Sequence, residues 1–292
     1  MTGNRQVIMD SIRQRDWKLP AVVNFTFAGI GSGCYVFYYI IQYLIGYPAP
    51  ENITARFFMN FAMPALVCLG FLALTLEAGK PAHGRFLLRG IRNSWMSREI
   101  LAFAVFVLSA VMSGFIPGNF LGNIAMLAGV ALLVSQGFVL SSSRGIPAWN
   151  WAYMPLFFLS SGIVSGAGLT MILWSLTSMS LPLNAFLVTN ICILVNVLIW
   201  LLYVHTSKIS EPKTIAHPLS RVPSLVFIIG IGHLLPVFLL TFVLTTNGNE
   251  ITKSGKEFYV FISGMLMLIS SSWQKISIIL SKGYHQEIEI TY

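Results

Sequence analysis

The chain has 292 residues, of which 55% are hydrophobic and only 10% charged, against about 25% charged in an ordinary soluble domain. So few charges cannot cover a water-facing surface of that size, and a mean hydropathy of +0.75 agrees. A soluble globular enzyme, a disordered chain and a nucleic-acid binder are therefore excluded, although the formal net charge is +8.

Residues 1–20 come first and are polar, with Arg5, Asp10, Arg13, Arg15, Asp16 and Lys18 ahead of the first apolar run. They are too polar and too long for a secretory signal peptide. A membrane-crossing helix needs about 20 apolar residues, so the stretches without Asp, Glu, Lys or Arg carry the fold. These are 19–50, 57–76, 100–143, 145–207, 222–249 and 258–274. The third is long enough for two helices and breaks at Gly114–Asn119, where two glycines and a proline interrupt it. The fourth also holds two, broken near Pro182, which suits a helix start. The last reaches Ser281 if Lys275 snorkels to the interface.

The predicted elements are helices at 21–45, 57–78, 98–116, 119–143, 150–177, 182–205, 223–246 and 257–281. The expected fold is all-α: a polytopic membrane protein with eight transmembrane helices. Residues 1–20 form an N-terminal cytoplasmic segment, 21–281 the transmembrane domain and 282–292 a cytoplasmic tail. Eight spans put both termini and the loops after helices 2, 4 and 6 on one side. Fifteen of the eighteen Lys and Arg residues fall there, leaving Arg56, Lys253 and Lys256 on the other. The positive-inside rule then makes both termini cytoplasmic in the cell inner (plasma) membrane.

Ionisable groups within or at the edge of the bilayer are costly and become candidates for function. Glu77 ends helix 2 and Glu99 opens helix 3, joined by a basic loop of about 20 residues. A carboxylate in a first helical turn is favoured by the macrodipole, which accounts for Glu99 but not for Glu77 at a C-terminus. Asn24 in helix 1 and Gln136 in helix 4 add polar groups, and His233 sits mid-way along helix 7. A membrane haem needs two histidines at matching depth. His205 lies at the end of helix 6, and His233 is deeper by about ten residues, or roughly 15 Å, so haem is not expected. Cys34, Cys68 and Cys192 lie in apolar runs without CxxC spacing; an iron–sulfur cluster needs about four thiolates, and no metal site is expected. Glycines at 29, 31 and 33 and the small residues of 161–168 read as close helix crossings.

The loop between helices 2 and 3 runs from Glu77-Ala-Gly-Lys-Pro81 to Ser94-Trp-Met-Ser-Arg-Glu99. It resembles the NrfD/DmsC superfamily, the membrane anchor subunits of molybdopterin oxidoreductases and related iron–sulfur electron-transfer complexes. Gln136-Gly-Phe138, Arg144-Gly-Ile-Pro-Ala-Trp149, Asn24 with the glycines of helix 1, and Trp273-Gln-Lys275 extend the likeness in the family's order. Glu77 and the Arg-Gly-Ile-Pro-Ala-Trp stretch are most similar to the branch of phenylacetyl-CoA:acceptor oxidoreductase and quinone-linked sulfite dehydrogenase anchors. Anchors of the enterobacterial DMSO-reductase kind carry histidine where this chain has Glu77.

The resemblance implies a membrane anchor that passes electrons between the quinone pool, menaquinone or ubiquinone, and a four-cluster iron–sulfur subunit, with a molybdopterin catalytic subunit beyond it. Such a chain is not catalytic alone and carries neither haem nor a cluster of its own. By resemblance Glu77 and Glu99 handle protons at the quinone, with Asn24 and Gln136 lining the site. A carboxylate there can take a proton and pass it to water. Arg98 either contacts a quinone carbonyl or pairs with Glu99. Two other readings stay open: a structural anchor without a quinone site, and a proton-coupled secondary transporter using Glu77, Glu99 and His233.

Overall fold

A computed structural model of the chain describes residues 5–9, 14, 17–46, 53–77, 90–116, 118–177, 182–210, 226–246, 252–281 and 288–291. Among these, eight helical rods account for nearly all of the chain. Helix α1 is Leu19–Ile45. Helix α2 joins Ile53–Phe57, a π-helical turn Phe58–Ala62 and Met63–Glu77. Helices α3, α4, α5 and α6 are Trp95–Ser113, Phe120–Ser141, Met154–Thr177 and Leu183–Ser210. Helix α7 starts as a π-helical segment, Val226–Leu234, and continues as Leu235–Thr245. Helix α8 is Lys253–Ile276 with a last π turn, Ser277–Ser281.

Seven of the described helices, α1 to α7, are long and apolar enough to cross a membrane. The chain is a multi-pass membrane protein. Helix α8 is set apart by its polar stripe, in which Ser263, Ser270, Ser271, Gln274 and Lys275 are all buried. Outside the helices, β1 (Arg5–Met9) pairs antiparallel with β2 (Ile288–Thr291), tying the two end segments together. The helix-based expectation contained no such ribbon.

Helices α1 and α5 form the centre of the bundle. Helix α1 also packs on α2 and α4, and α5 on α6 and α8. Lipid tails give no hydrophobic push between helices, so close backbone approach must supply the attraction. Glycine provides it here. A Cβ on Gly33 would run into the backbone of Gly162, and one on Gly166 into the backbone of Gly33 and Cys34. Each small-residue stretch is expected to permit a close crossing, and Gly33, Gly162 and Gly166 bring the two together in the α1–α5 contact. Cys34 is buried in that seam, its Sγ 3.1 Å from Thr170 Oγ1, and all three cysteines are free.

Three expectations need correction. Helix α3 starts at Trp95 and not at 98, because Ser94 already stands in extended conformation as its N-cap and its N–H closes a turn onto Gly90 O at 2.8 Å. Glu99 therefore lies in the second turn, beyond the reach of the first-turn dipole argument. Helix α5 starts at Met154 and not at 150, because residues 143–154 are knotted by successive turn bonds, among them Trp149 N–H to Ile146 O at 3.0 Å. Lys275 does not snorkel outward: it is 1% exposed, and its Nζ donates to Phe25 O at 3.4 Å inside the bundle.

Candidate functional site

The Ser-Trp-Met-Ser-Arg-Glu stretch divides its labour by helical position. Trp95 and Glu99 are four residues apart and share one face of α3. Trp95 stacks flat on Phe138 of α4, with ring centroids 3.9 Å apart. Arg98 turns the other way. Its Nε donates to Ile91 O at 3.0 Å and its Nη2 to Arg92 O at 2.7 Å, while its Cζ lies 4.2 Å from the Trp95 ring. Arg98 thus pins the end of the connector onto α3, and among the described residues it makes no ion pair with Glu99.

Glu99 points inward, to the junction of α1, α3 and α4. It is 2% exposed, and Asn24 Nδ2 of α1 donates to its Oε1 at 3.3 Å. The Gln136 side chain of α4 is the other polar neighbour of this carboxylate. Among the described residues neither Gln136 Nε2 nor Gln136 Oε1 makes a well-formed hydrogen bond, and Asn24 Oδ1 makes none. Leaving a buried polar atom unpaired costs about 1–3 kcal/mol. These atoms lie about one buried carboxylate.

Two glycines let the surrounding helices close in. A Cβ on Gly70 of α2 would lie 3.2 Å from Asn24 O, so α2 rests directly on the backbone behind Asn24. A Cβ on Gly137 would collide with the backbone of Pro155, so the start of α5 abuts α4 beside Gln136. The Gln-Gly-Phe stretch therefore supplies a site amide, a close contact and the stacking partner of Trp95. The Arg-Gly-Ile-Pro-Ala-Trp stretch is a plug at the same end. Trp149 is buried, donates from Nε1 to Ile278 O at 2.9 Å and meets Trp17, which stacks on Phe25.

Of the five residues singled out by sequence, Asn24, Glu99 and Gln136 come together. Arg98 does not join them. Glu77 is the last residue of α2, and its side chain and the connector 78–89 lie outside the described residues.

Sequence reasoning passed over one group near this site. Lys275 of α8 bonds the carbonyl of Phe25, the residue after Asn24, and its Nζ fills the space that a side chain on Gly29 would need. Beside it, Gln274 and Ser271 are buried, and none of their side-chain polar atoms has a partner among the described residues. The Trp273-Gln274-Lys275 stretch was the available signal: an amide and an amine adjoining a helical run of serines. His233 sits elsewhere, fully buried, with Nδ1 2.7 Å from Ile228 O and Nε2 2.9 Å from Asn196 Oδ1; Asn196 Nδ2 donates to Ser160 Oγ at 3.0 Å. No group of three or more metal-ligating side chains occurs among the described residues.

No protein-family model matches the chain, and a search of curated proteins finds no match either.

Proposed function

We propose that the chain is the membrane anchor and quinone-reactive subunit of a molybdopterin/iron–sulfur oxidoreductase. The observation that carries this reading is the Asn24–Glu99–Gln136 cluster, a buried carboxylate flanked by two carboxamides whose hydrogen bonding among the described residues is incomplete, at one end of the bundle. Its residue types suit a quinone headgroup, whose two carbonyl oxygens need donors and whose reduction needs protons. When bound, menaquinone or ubiquinone supplies two-electron, two-proton redox chemistry.

The chain's own residues do the rest. Gln136 Nε2 and Asn24 Nδ2 are the donors available to a carbonyl oxygen. Glu99 holds or takes the proton at Oε2, while its Oε1 accepts from Asn24 Nδ2, which fixes the carboxylate's orientation. Trp95, one turn nearer the rim on the same face, stacks on Phe138 and covers the cluster, so entry of a ring requires that stack to part. By the resemblance Glu77 is the second carboxylate of the site, and the iron–sulfur subunit docks at this end of the bundle, with the molybdopterin subunit behind it.

The topology belongs to the same proposal: eight crossings, with both termini and the connector on the cytoplasmic side of the inner (plasma) membrane. The β1–β2 pairing supports an even number of crossings, since strands at the two ends of the chain can meet only on one side of a bilayer. The basic-residue asymmetry supports the orientation.

The test is Glu99→Gln in the assembled complex. Quinol-linked turnover should fall by about 100-fold, within the range for loss of a general acid–base, while the partner subunits still co-purify. The burial of Glu99 favours one rival, a structural anchor without a quinone site, and that rival predicts unchanged turnover. Substrate uptake by the isolated chain in liposomes would instead indicate a proton-coupled transporter.

A further inference from the structure

The end of the bundle opposite Glu99 holds a cavity of about 100 Å³, several times the roughly 10–15 Å³ that one water needs. It lies where α1 ends and where α2 and α4 begin. Its inner wall is Tyr35, Tyr38 and Tyr39, all buried. A membrane aromatic belt turns such rings toward the headgroups, whereas these three face into the bundle. Tyr35 Oη lies 3.3 Å from Ser113 Oγ, and Ser113 donates to Asn60 Oδ1 at 3.0 Å. Asn60 is delivered by the π turn Phe58–Ala62, a distortion often found at functional sites.

Positive features converge on the same space. Arg56 stands exposed at the mouth, and no Asp or Glu is among the residues that line the cavity. Helix α4, 22 residues long, begins at the mouth, and its N-cap Asn119 makes no side-chain capping bond. Its first-turn N–H groups and the positive end of its dipole are therefore available. Gly122 in that turn lies against the Tyr39 hydroxyl, where any side chain would collide. Helix α3 ends nearby, where the Val111 and Met112 carbonyls accept from the N–H groups of Gly114, Phe115 and Ile116.

We propose that this cavity binds a phosphate-type oxyanion, presented either as the headgroup of an anionic phospholipid or as a free ion. Arg56 supplies the charge-assisted bonds, the α4 N-terminus the backbone donors, and the tyrosine and Asn60 side chains the neutral ones. The site is separate from the quinone cluster, and neither reading depends on the other.

The experiment uses the full chain in neutral phosphatidylcholine nanodiscs, titrated calorimetrically with inorganic phosphate. In parallel, native mass spectrometry follows phosphatidylglycerol retained from mixed-lipid vesicles. Saturable binding in either arm supports the site, and the arm that responds names the source. Arg56→Gln should weaken that binding by about tenfold or more, Arg56→Lys should weaken it less, and Lys253→Gln, an exposed charge outside the cavity lining, should leave it unchanged. Thermal melting of each variant confirms that it is folded. The proposal is overturned if neither arm shows saturable binding, or if Lys253→Gln weakens it as much as Arg56→Gln.

Discussion

At His233 the chain has built a buried polar knot among apolar surroundings. The imidazole reaches a backbone carbonyl of its own helix, Asn196 on α6 and, at 3.1 Å, Ser270 on α8, so one side chain ties three helices. Bonds between membrane helices are worth about 1–2 kcal/mol at most in model systems. His233→Leu removes this side's bonds and strands the Asn196 amide, so it should lower unfolding free energy by about 1–3 kcal/mol, measured by denaturant titration in micelles. Lys275 is the opposite case: its one hydrogen bond among the described residues is a 3.4 Å contact to Phe25 O. Replacing a poorly compensated buried polar group by an apolar one of similar shape is commonly neutral or stabilising. Lys275→Met should therefore leave the melting temperature unchanged or raised. A fall would show that the amine has a stronger partner. The sequence made Glu99 visible as a carboxylate at a helix start and Asn24 as a polar residue in an apolar run. That they meet is a matter of helix rotation, which one sequence does not display. Lys275 was hidden because an amine near a helix end ordinarily reaches water, and only the bare Gly29 opposite makes room for it.

Helices as units follow their apolar runs closely, but their ends do not. Helices α2 and α3 extend beyond the charge-free runs to take in Arg56 in one and Arg98 and Glu99 in the other. The run marks what the bilayer touches, whereas turn bonds and caps decide where the helix begins. The π segments in α2 and α7 were likewise unreadable, since they preserve the apolar pattern while shifting its phase. That α1 and α5 each pack closely was legible because glycine spacing reports it directly, whereas their pairing with each other was not. Gly33→Leu should abolish recovery of folded protein from the membrane, as its side chain has only the Gly162 backbone to enter. Gly46→Ala tests the other use of glycine. It sits at φ 68° with open space around it, so the cost should be only the left-handed strain of about 1–2 kcal/mol. Comparing expression and melting of the two variants checks both statements.

For the whole molecule, composition alone separates membrane from water, and the basic residues suggest which end faces inward. The ribbon of β1 with β2 adds a constraint that hydropathy could not, because it depends on two segments nearly the full chain length apart. It matters most for α8, whose buried serines, Gln274 and Lys275 lower its apolar character below that of its neighbours. If α8 crosses, Arg5→Cys and Asn119→Cys should be labelled by a membrane-impermeant thiol reagent from opposite faces, and Thr291→Cys from the same face as Arg5→Cys. Labelling of Thr291→Cys from the Asn119 face would mean seven crossings and would remove the ribbon.

The central claim is that a quinone ring seats at Asn24, Glu99 and Gln136. The most direct measurement is equilibrium binding of a short-chain naphthoquinone to the purified chain in nanodiscs, followed by quenching of tryptophan fluorescence, with Trp95 beside the site. The account predicts saturable quenching that Gln136→Leu weakens by about tenfold or more, the worth of a hydrogen bond stranded at a buried oxygen, while melting stays close to that of the parent. Identical binding curves for the parent chain and Gln136→Leu would contradict it.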